Sequence, residues 1–217
     1  LKNKIIITGT SETFFEKNLW IYCRKNGLKC CAYVDSWVNT KKRFKSTDCF
    51  PDFIFVQDQL IKKEIKKKFK QIQSSNIIVI GNPFHYYLSK NIKYFISKKN
   101  NIMYLTSNKG IKKELPIIKI IFNQFIGNKE NFYICVHPRE NYKEWQRSIK
   151  IKNINLTQNK FINKIKFVNY VFGIDTMGLI DSFYLNKNVF YLKSKNFNNK
   201  SMLKIFSNLG MSNFKLN

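Results

Sequence analysis

Short runs of β-branched and aromatic residues recur along this chain, and a longer stretch with helical spacing follows most of them. That alternation restricts the fold more than any other feature, because strands spaced by helices at this interval build a parallel, doubly wound sheet. Ile5 to Thr8 reads as a strand, Gly9-Thr10-Ser11 as its turn, and Glu12 to Asn26 as a helix closed by Gly27. Strands follow at Lys29 to Val34, Phe53 to Val56 and Asn76 to Ile80, with a lysine-faced helix from Gln57 to Lys70. Beyond Gly81-Asn82-Pro83 the periodicity lapses until Asn101. The pattern then restarts with strand Ile102 to Leu105, helix Lys112 to Phe125 carrying Pro116 in its first turn, and strand Phe132 to Val136. After a less regular region come strand Phe167 to Gly173, helix Thr176 to Leu185, strand Val189 to Leu192 and helix Lys200 to Leu209.

The expected fold class is α/β, with two Rossmann-like lobes and parallel sheets. Residues 1–83 form the N-terminal lobe, 84–100 the crossing, and 101–217 the C-terminal lobe. The chain opens on Leu1 rather than Met and runs almost at once into Ile5, so the first lobe is expected to be incomplete.

A net charge of +26 ordinarily points to nucleic acid or an anionic membrane. Only Arg24, Arg43, Arg139 and Arg147 among the 39 basic residues are Arg, however, and the rest of the chain is crowded with Asn, Ile, Phe and Tyr. Lys and these four residues all have AT-rich codons, so base composition accounts for the charge without a polyanionic partner. Nucleic acid is therefore not expected, although the lysines could hold the chain peripherally against anionic lipid. The few Arg residues gain weight, since Arg makes bidentate contacts that Lys cannot. Five Cys without a C-x-x-C pair or zinc spacing indicate free thiols in a reducing, cytoplasmic compartment and no metal site. No apolar run approaches the ~18 residues of a membrane span.

In open α/β sheets, ligands bind beyond the carboxyl ends of the strands. The candidates are then Thr10 and Ser11, Asp35 with Trp37, Gln57-Asp58, the loop Thr106 to Gly110 with Ser107, the turn His137 to Glu140 with Arg139, and Asp175 with Thr176. Thr10, Ser11, Asp175 and Thr176 precede helices, whose free N–H groups attract phosphate. Ser11 and Thr176 also suit helix caps, and His137 a turn. Asp35, directly after an apolar strand in a chain with 13 acids, suits a general base or an Asp turn. Trp37 reads equally as a core anchor or a stacking platform, and His85 as packing. No phosphate-binding glycine loop and no nucleophile elbow is present.

The ordered set Gly81-Asn82-Pro83, His137-Pro138 and FGIDTMGLIDSFYLNKNVFYL (Phe172 to Leu192) resembles the GT-B glycosyltransferase superfamily. The likeness is to bacterial branches with a His-Pro motif, the sialyl- and polysialyltransferases and the teichoic-acid glycerophosphotransferases. Leu19 to Phe44 also resembles a pattern in bacterial surface-polysaccharide proteins of this fold. The resemblance implies transfer of a sugar from a nucleotide donor, CMP- or CDP-linked, to a glycan or lipid-linked acceptor, with no further cofactor. It implies that His137 and Thr176 contact donor phosphate with help from Arg139, that Asp181 takes the donor ribose, and that Asp35 is the base. Met177 stands where the pattern has a second hydroxyl, so a degenerate, non-catalytic protein is an alternative. A nucleotide-sugar 2-epimerase is another, echoed by His137 to Asn141, and a basic nucleic-acid-binding module a third.

Overall fold

The computed structural model describes residues 4–11, 13–44, 49–91, 100–125, 131–193 and 200–215. The chain is α/β and divides into two compact units, Leu1–Tyr86 and Tyr87–Asn217, each with its own parallel sheet.

In the first unit β1 (Ile5–Thr8), β2 (Lys29–Val34), β3 (Phe53–Val56) and β4 (Ile77–Val79) lie side by side in the order in which the chain makes them. Parallel crossovers are right-handed, so a sheet that grows in one direction collects its helices on one face. The side chains agree. Trp20 of α1 (Phe14–Lys25) donates its indole N–H to Thr8 and stacks on Phe44, at the end of α2 (Thr40–Arg43). Phe44 in turn meets Phe69, at the end of α3 (Gln59–Lys68), edge-on. Thr8, Ala32, Ile54 and Ile77 are in register beneath this layer. Alternate positions point the other way, and there Ile5, Ile7, Phe53 and Ile78 are exposed. The sheet hands on to α4 (Pro83–Asn91), which Asn82 caps by accepting the N–H groups of Phe84 and His85, with Pro83 at the first helical position.

The second unit has six strands: β5 (Ile102–Leu105), β6 (Phe132–Val136), β7 (Ile154–Gln158), β8 (Tyr170–Gly173), β9 (Asn188–Lys193) and β10 (Ser212–Lys215). Their order is β10-β9-β8-β5-β6-β7. The chain builds outward from β5 to β7, returns to the other side of β5, and builds outward again. Right-handed crossovers then distribute helices to both faces: α5 (Ile111–Phe125), α6 (Tyr142–Ser148), α7 (Phe161–Ile165), α8 (Met177–Tyr184) and α9 (Lys200–Asn208). Tyr104, Phe132, Ile134, Trp145, Phe172 and Leu192 are among the buried residues of one continuous core. The reversal of direction between β5 and β8 is a topological switch point, where sheets of this kind open a crevice at their carboxyl ends.

Several elements differ from the sequence reading. Residues 84–100, expected as an irregular crossing, begin with α4, and 92–99 lie outside the described residues. Helix α1 starts at Phe14, and Glu12, its expected first residue, also lies outside them. The less regular region before β8 contains α6, β7 and α7, and β10 follows the last helix. Pro116 lies beyond the first turn of α5, where its missing N–H deprives the Lys112 carbonyl of a partner; the position is exposed, so water can take that carbonyl. All five cysteines are buried. Among the described residues no helix is long and apolar enough to cross a membrane.

Candidate functional site

In the second unit the neighbouring strands β6, β5 and β8 end in the turn His137 to Glu140, the loop Thr106 to Gly110, and Asp175-Thr176. Missing side chains draw the last two together. A Cβ on Gly173 would lie 3.1 Å from the Leu105 carbonyl oxygen, and one on Gly178 2.9 Å from the Leu105 side chain. Across this contact the Asp175 N–H donates to Ser107 Oγ at 3.2 Å, and Lys109 Nζ stands 3.5 Å from the Asp175 carboxylate.

His137 is tied to the same loop. Its N–H donates to Thr106 Oγ1 at 2.7 Å, and the Thr106 hydroxyl donates to Glu140. The other Glu140 oxygen accepts the Gly110 N–H at 3.2 Å. From the end of β7, Gln158 donates to the carbonyls of His137 and Glu140; a cavity of about 540 Å³, also lined by Tyr133, Tyr142 and Lys160, adjoins the turn through Gln158. The imidazole Nδ1 accepts the Arg139 N–H at 3.2 Å, which leaves the ring proton on Nε2. Burial, with Arg139, holds His137 below its ordinary pKa of 6.5, and Glu140 offsets this only in part. At neutral pH the half-buried ring is therefore an uncharged Nε2–H donor. The Arg139 side chain beside it is exposed.

Beneath the loop lies Glu114, fully buried in the first turn of α5. It accepts the N–H groups of Ser107 at 2.9 Å and Lys109 at 3.2 Å, and the Tyr104 hydroxyl at 3.0 Å. Burial pushes its carboxyl up to about 7, although these three donors work in the opposite direction. Glu114 and Glu140 thus occupy the N–H groups of Ser107, Lys109 and Gly110, which are then not available to an external anion. The start of α8 is different. Thr176 stands at the N-cap in extended backbone, and its hydroxyl makes no capping bond. Asp181 lies one turn further into α8, half-buried.

The candidates of the first unit also gather, around a cavity of about 370 Å³ lined by Thr10, Ser11, Glu16, Tyr33, Asp35 and Arg43. Arg43 organises it. One terminal nitrogen pairs with Asp35 at 2.7 Å and reaches the Thr10 carbonyl at 2.8 Å and hydroxyl at 3.0 Å, while Nε donates to the Val38 carbonyl. Ser11 does not cap α1: the N-cap is Thr13, and the Ser11 hydroxyl and N–H both donate to Glu16. Burial raises the Glu16 carboxyl, but hydrogen bonds from Ser11 and Thr13 outweigh it and hold the group below 4.5. A phosphate at Thr10-Ser11 would meet that carboxylate. Trp37 is a core anchor, buried, with its N–H donated to Asp58 and its ring stacked 6.3 Å from that of the buried His85. A cavity of about 590 Å³ lies at the opposite ends of the strands, lined by Trp20, Arg24, Asp52, Cys23 and Cys30. Burial, together with the neighbouring Cys23, pushes the Cys30 thiol up to about 12, far from a reactive thiolate.

No protein-family model matches the chain, and no curated protein matches it in sequence. Among the described residues no three His, Cys, Asp or Glu side chains are grouped to hold a metal ion. Sequence reasoning did not single out Arg43, Lys109 or Glu114 as site residues, and named Glu140 only as part of its turn. Glu114 had a readable signal: it occupies a core position on the apolar stripe Ile111, Ile118 and Ile121, where only a bonded acid is tolerated.

Proposed function

We propose that the chain is a GT-B-like glycosyltransferase that moves a sugar from a nucleotide donor to an acceptor hydroxyl in surface-polysaccharide synthesis. The donor binds the second unit, and the first serves the acceptor. The observation that carries this reading is the placement of His137, Arg139 and Thr176 on the strand ends that flank the β5–β8 switch point. They offer three kinds of phosphate donor: a neutral imidazole N–H, a guanidinium, and the N–H groups that open α8. Rigid donors aimed at a leaving phosphate stabilise the charge that develops there without reorganising, and this is commonly the largest catalytic contribution. Asp35 is the proposed base, accepting the acceptor's proton while Arg43 holds one carboxylate oxygen. An epimerase is less favoured, because Glu140 is engaged by Thr106 and Gly110, and Asn141 by capping α6.

A thermal-shift screen of CMP, CDP, UDP, GDP and their sugars tests this directly. One of them should stabilise the chain saturably. His137→Ala should remove that shift while the unliganded melting temperature stays within a few degrees. Absence of any shift, with tight RNA binding that weakens steeply in salt, would sink the proposal in favour of nucleic acid.

A further inference from the structure

Helix α1 carries aromatic side chains on two sides. Its inner side carries the buried Trp20 and Cys23. Its outer side presents Phe14 at 66%, Phe15 at 73% and Tyr22 at 56% exposure, with Ile21 between them. At 100° per residue these four share one face of the helix with Asn18 and Lys25. Helices α2 and α3 lie on the same face of the sheet, joined to α1 through Trp20, Phe44 and Phe69. Apart from Gln59, their exposed side chains are lysines: Lys41 and Lys42 on α2, and Lys63, Lys66, Lys67 and Lys68 on α3. The acids of these helices are already engaged, Glu64 by Lys68 and Glu16 by Ser11 and Thr13.

We infer that this helical face of the first unit docks on an anionic lipid surface, with the α1 aromatics entering the headgroup boundary and the α2 and α3 lysines lying over the phosphates. Aromatic side chains beside a row of lysines are the pattern that holds helices in the interface plane. Each Lys near such a surface adds attraction within a Debye length. A second copy of the chain is a poor alternative occupant, since it carries the same +26 charge. The surface belongs to the first unit and does not depend on nucleotide binding in the second.

Flotation with vesicles of phosphatidylcholine alone, and of phosphatidylcholine mixed equally with phosphatidylglycerol, provides the test. The wild-type chain should float only with the anionic vesicles. Phe14→Ser/Phe15→Ser should weaken that binding by roughly tenfold or more with its melting temperature preserved, because both side chains are exposed in the free protein. Lys63→Gln/Lys66→Gln/Lys67→Gln should weaken it and flatten its salt dependence. Three results would overturn the inference. One is failure of the wild type to float. Another is a phenylalanine variant that binds like wild type, which would reduce the effect to non-specific charge. The third is an oligomer in solution that the phenylalanine variant dissolves, meaning that protein covers the face.

Discussion

The two units use the same βα chemistry with different strand orders, and the order decides what each can offer. In the first, β1 to β4 advance in one direction, so the helices collect on one face and no switch point arises. Most of the large apolar side chains exposed among the described residues belong to it; Tyr87, Phe125, Phe167 and Tyr184 are the exceptions. In the second, the return from β7 to β8 puts the loops after β6, β5 and β8 side by side at the carboxyl end of the sheet. The polar interiors differ too. Glu114 sits under the second unit's loops with three donors, whereas Asp35 in the first meets Arg43 at the surface.

That contrast can be broken by substitution. Glu114→Ala strands the buried Ser107 N–H, the part-buried Lys109 N–H and the buried Tyr104 hydroxyl, and should cost about 3–5 kcal/mol in urea melts. Asp35→Ala removes a partner whose side chain is 67% exposed and should cost below about 1 kcal/mol. Equal costs would mean that the loops of the two units are held alike. The glycines give the next largest effect. Gly173→Ala drives a methyl toward the Leu105 carbonyl and Leu179, for a loss of about 1–3 kcal/mol. Gly9→Ala has its nearest neighbour at 3.7 Å and should stay within about 0.5 kcal/mol, as a thermal melt would reveal.

Acidity gives the smallest and most specific difference. Glu114 titrates at about 7 when folded, against an ordinary 4.5, so its neutral form is the one that the fold prefers. Its contribution is complete below pH 4.5 and is lost as pH rises through 7, so the chain should be about 1 kcal/mol more stable at pH 6 than at pH 7 on this account. His137 works against this, since its depressed pKa means that protonation below 6.5 disfavours the fold. In the first unit the carboxyls of Glu16 and Asp52 are held below 4.5 and 3.8, so their contribution persists across this range and is lost only on stronger acidification. Glu114→Gln should remove the rise between pH 7 and pH 6; a rise that survives it would place the titration elsewhere.

Much of this architecture is legible in the chain before any coordinates. Buried parallel strands such as Ile102 to Leu105 announce themselves as apolar runs, and His137 stands out because the run before it ends so abruptly. The edge strands of the second sheet do not. Ile154-Asn155-Leu156-Thr157-Gln158 of β7 is half polar because its outer edge lacks a neighbour, and β10 keeps one aromatic residue. Helix α6 escapes notice because a single buried residue, Trp145, anchors it. Strand order is also hidden, since local periodicity is the same whichever neighbour a strand takes, so the switch point emerges only in three dimensions. Ser11 misled for a related reason: a hydroxyl before a helix looks like a cap, but Glu16, within the helix, claims it. The Arg43 hub spans a sequence separation of 33 residues to Thr10, beyond any local pattern.

The central claim is that ligand binding belongs to the unit with the switch point. Hydrogen–deuterium exchange of the whole chain, with and without the nucleotide that gives the largest thermal shift, tests it most directly. Slowed exchange in peptides covering 106–110, 137–140 and 175–179, with the 9–16 and 35–43 peptides unchanged, is the predicted result. Protection confined to the 9–16 and 35–43 peptides would contradict it and move the nucleotide to the first unit.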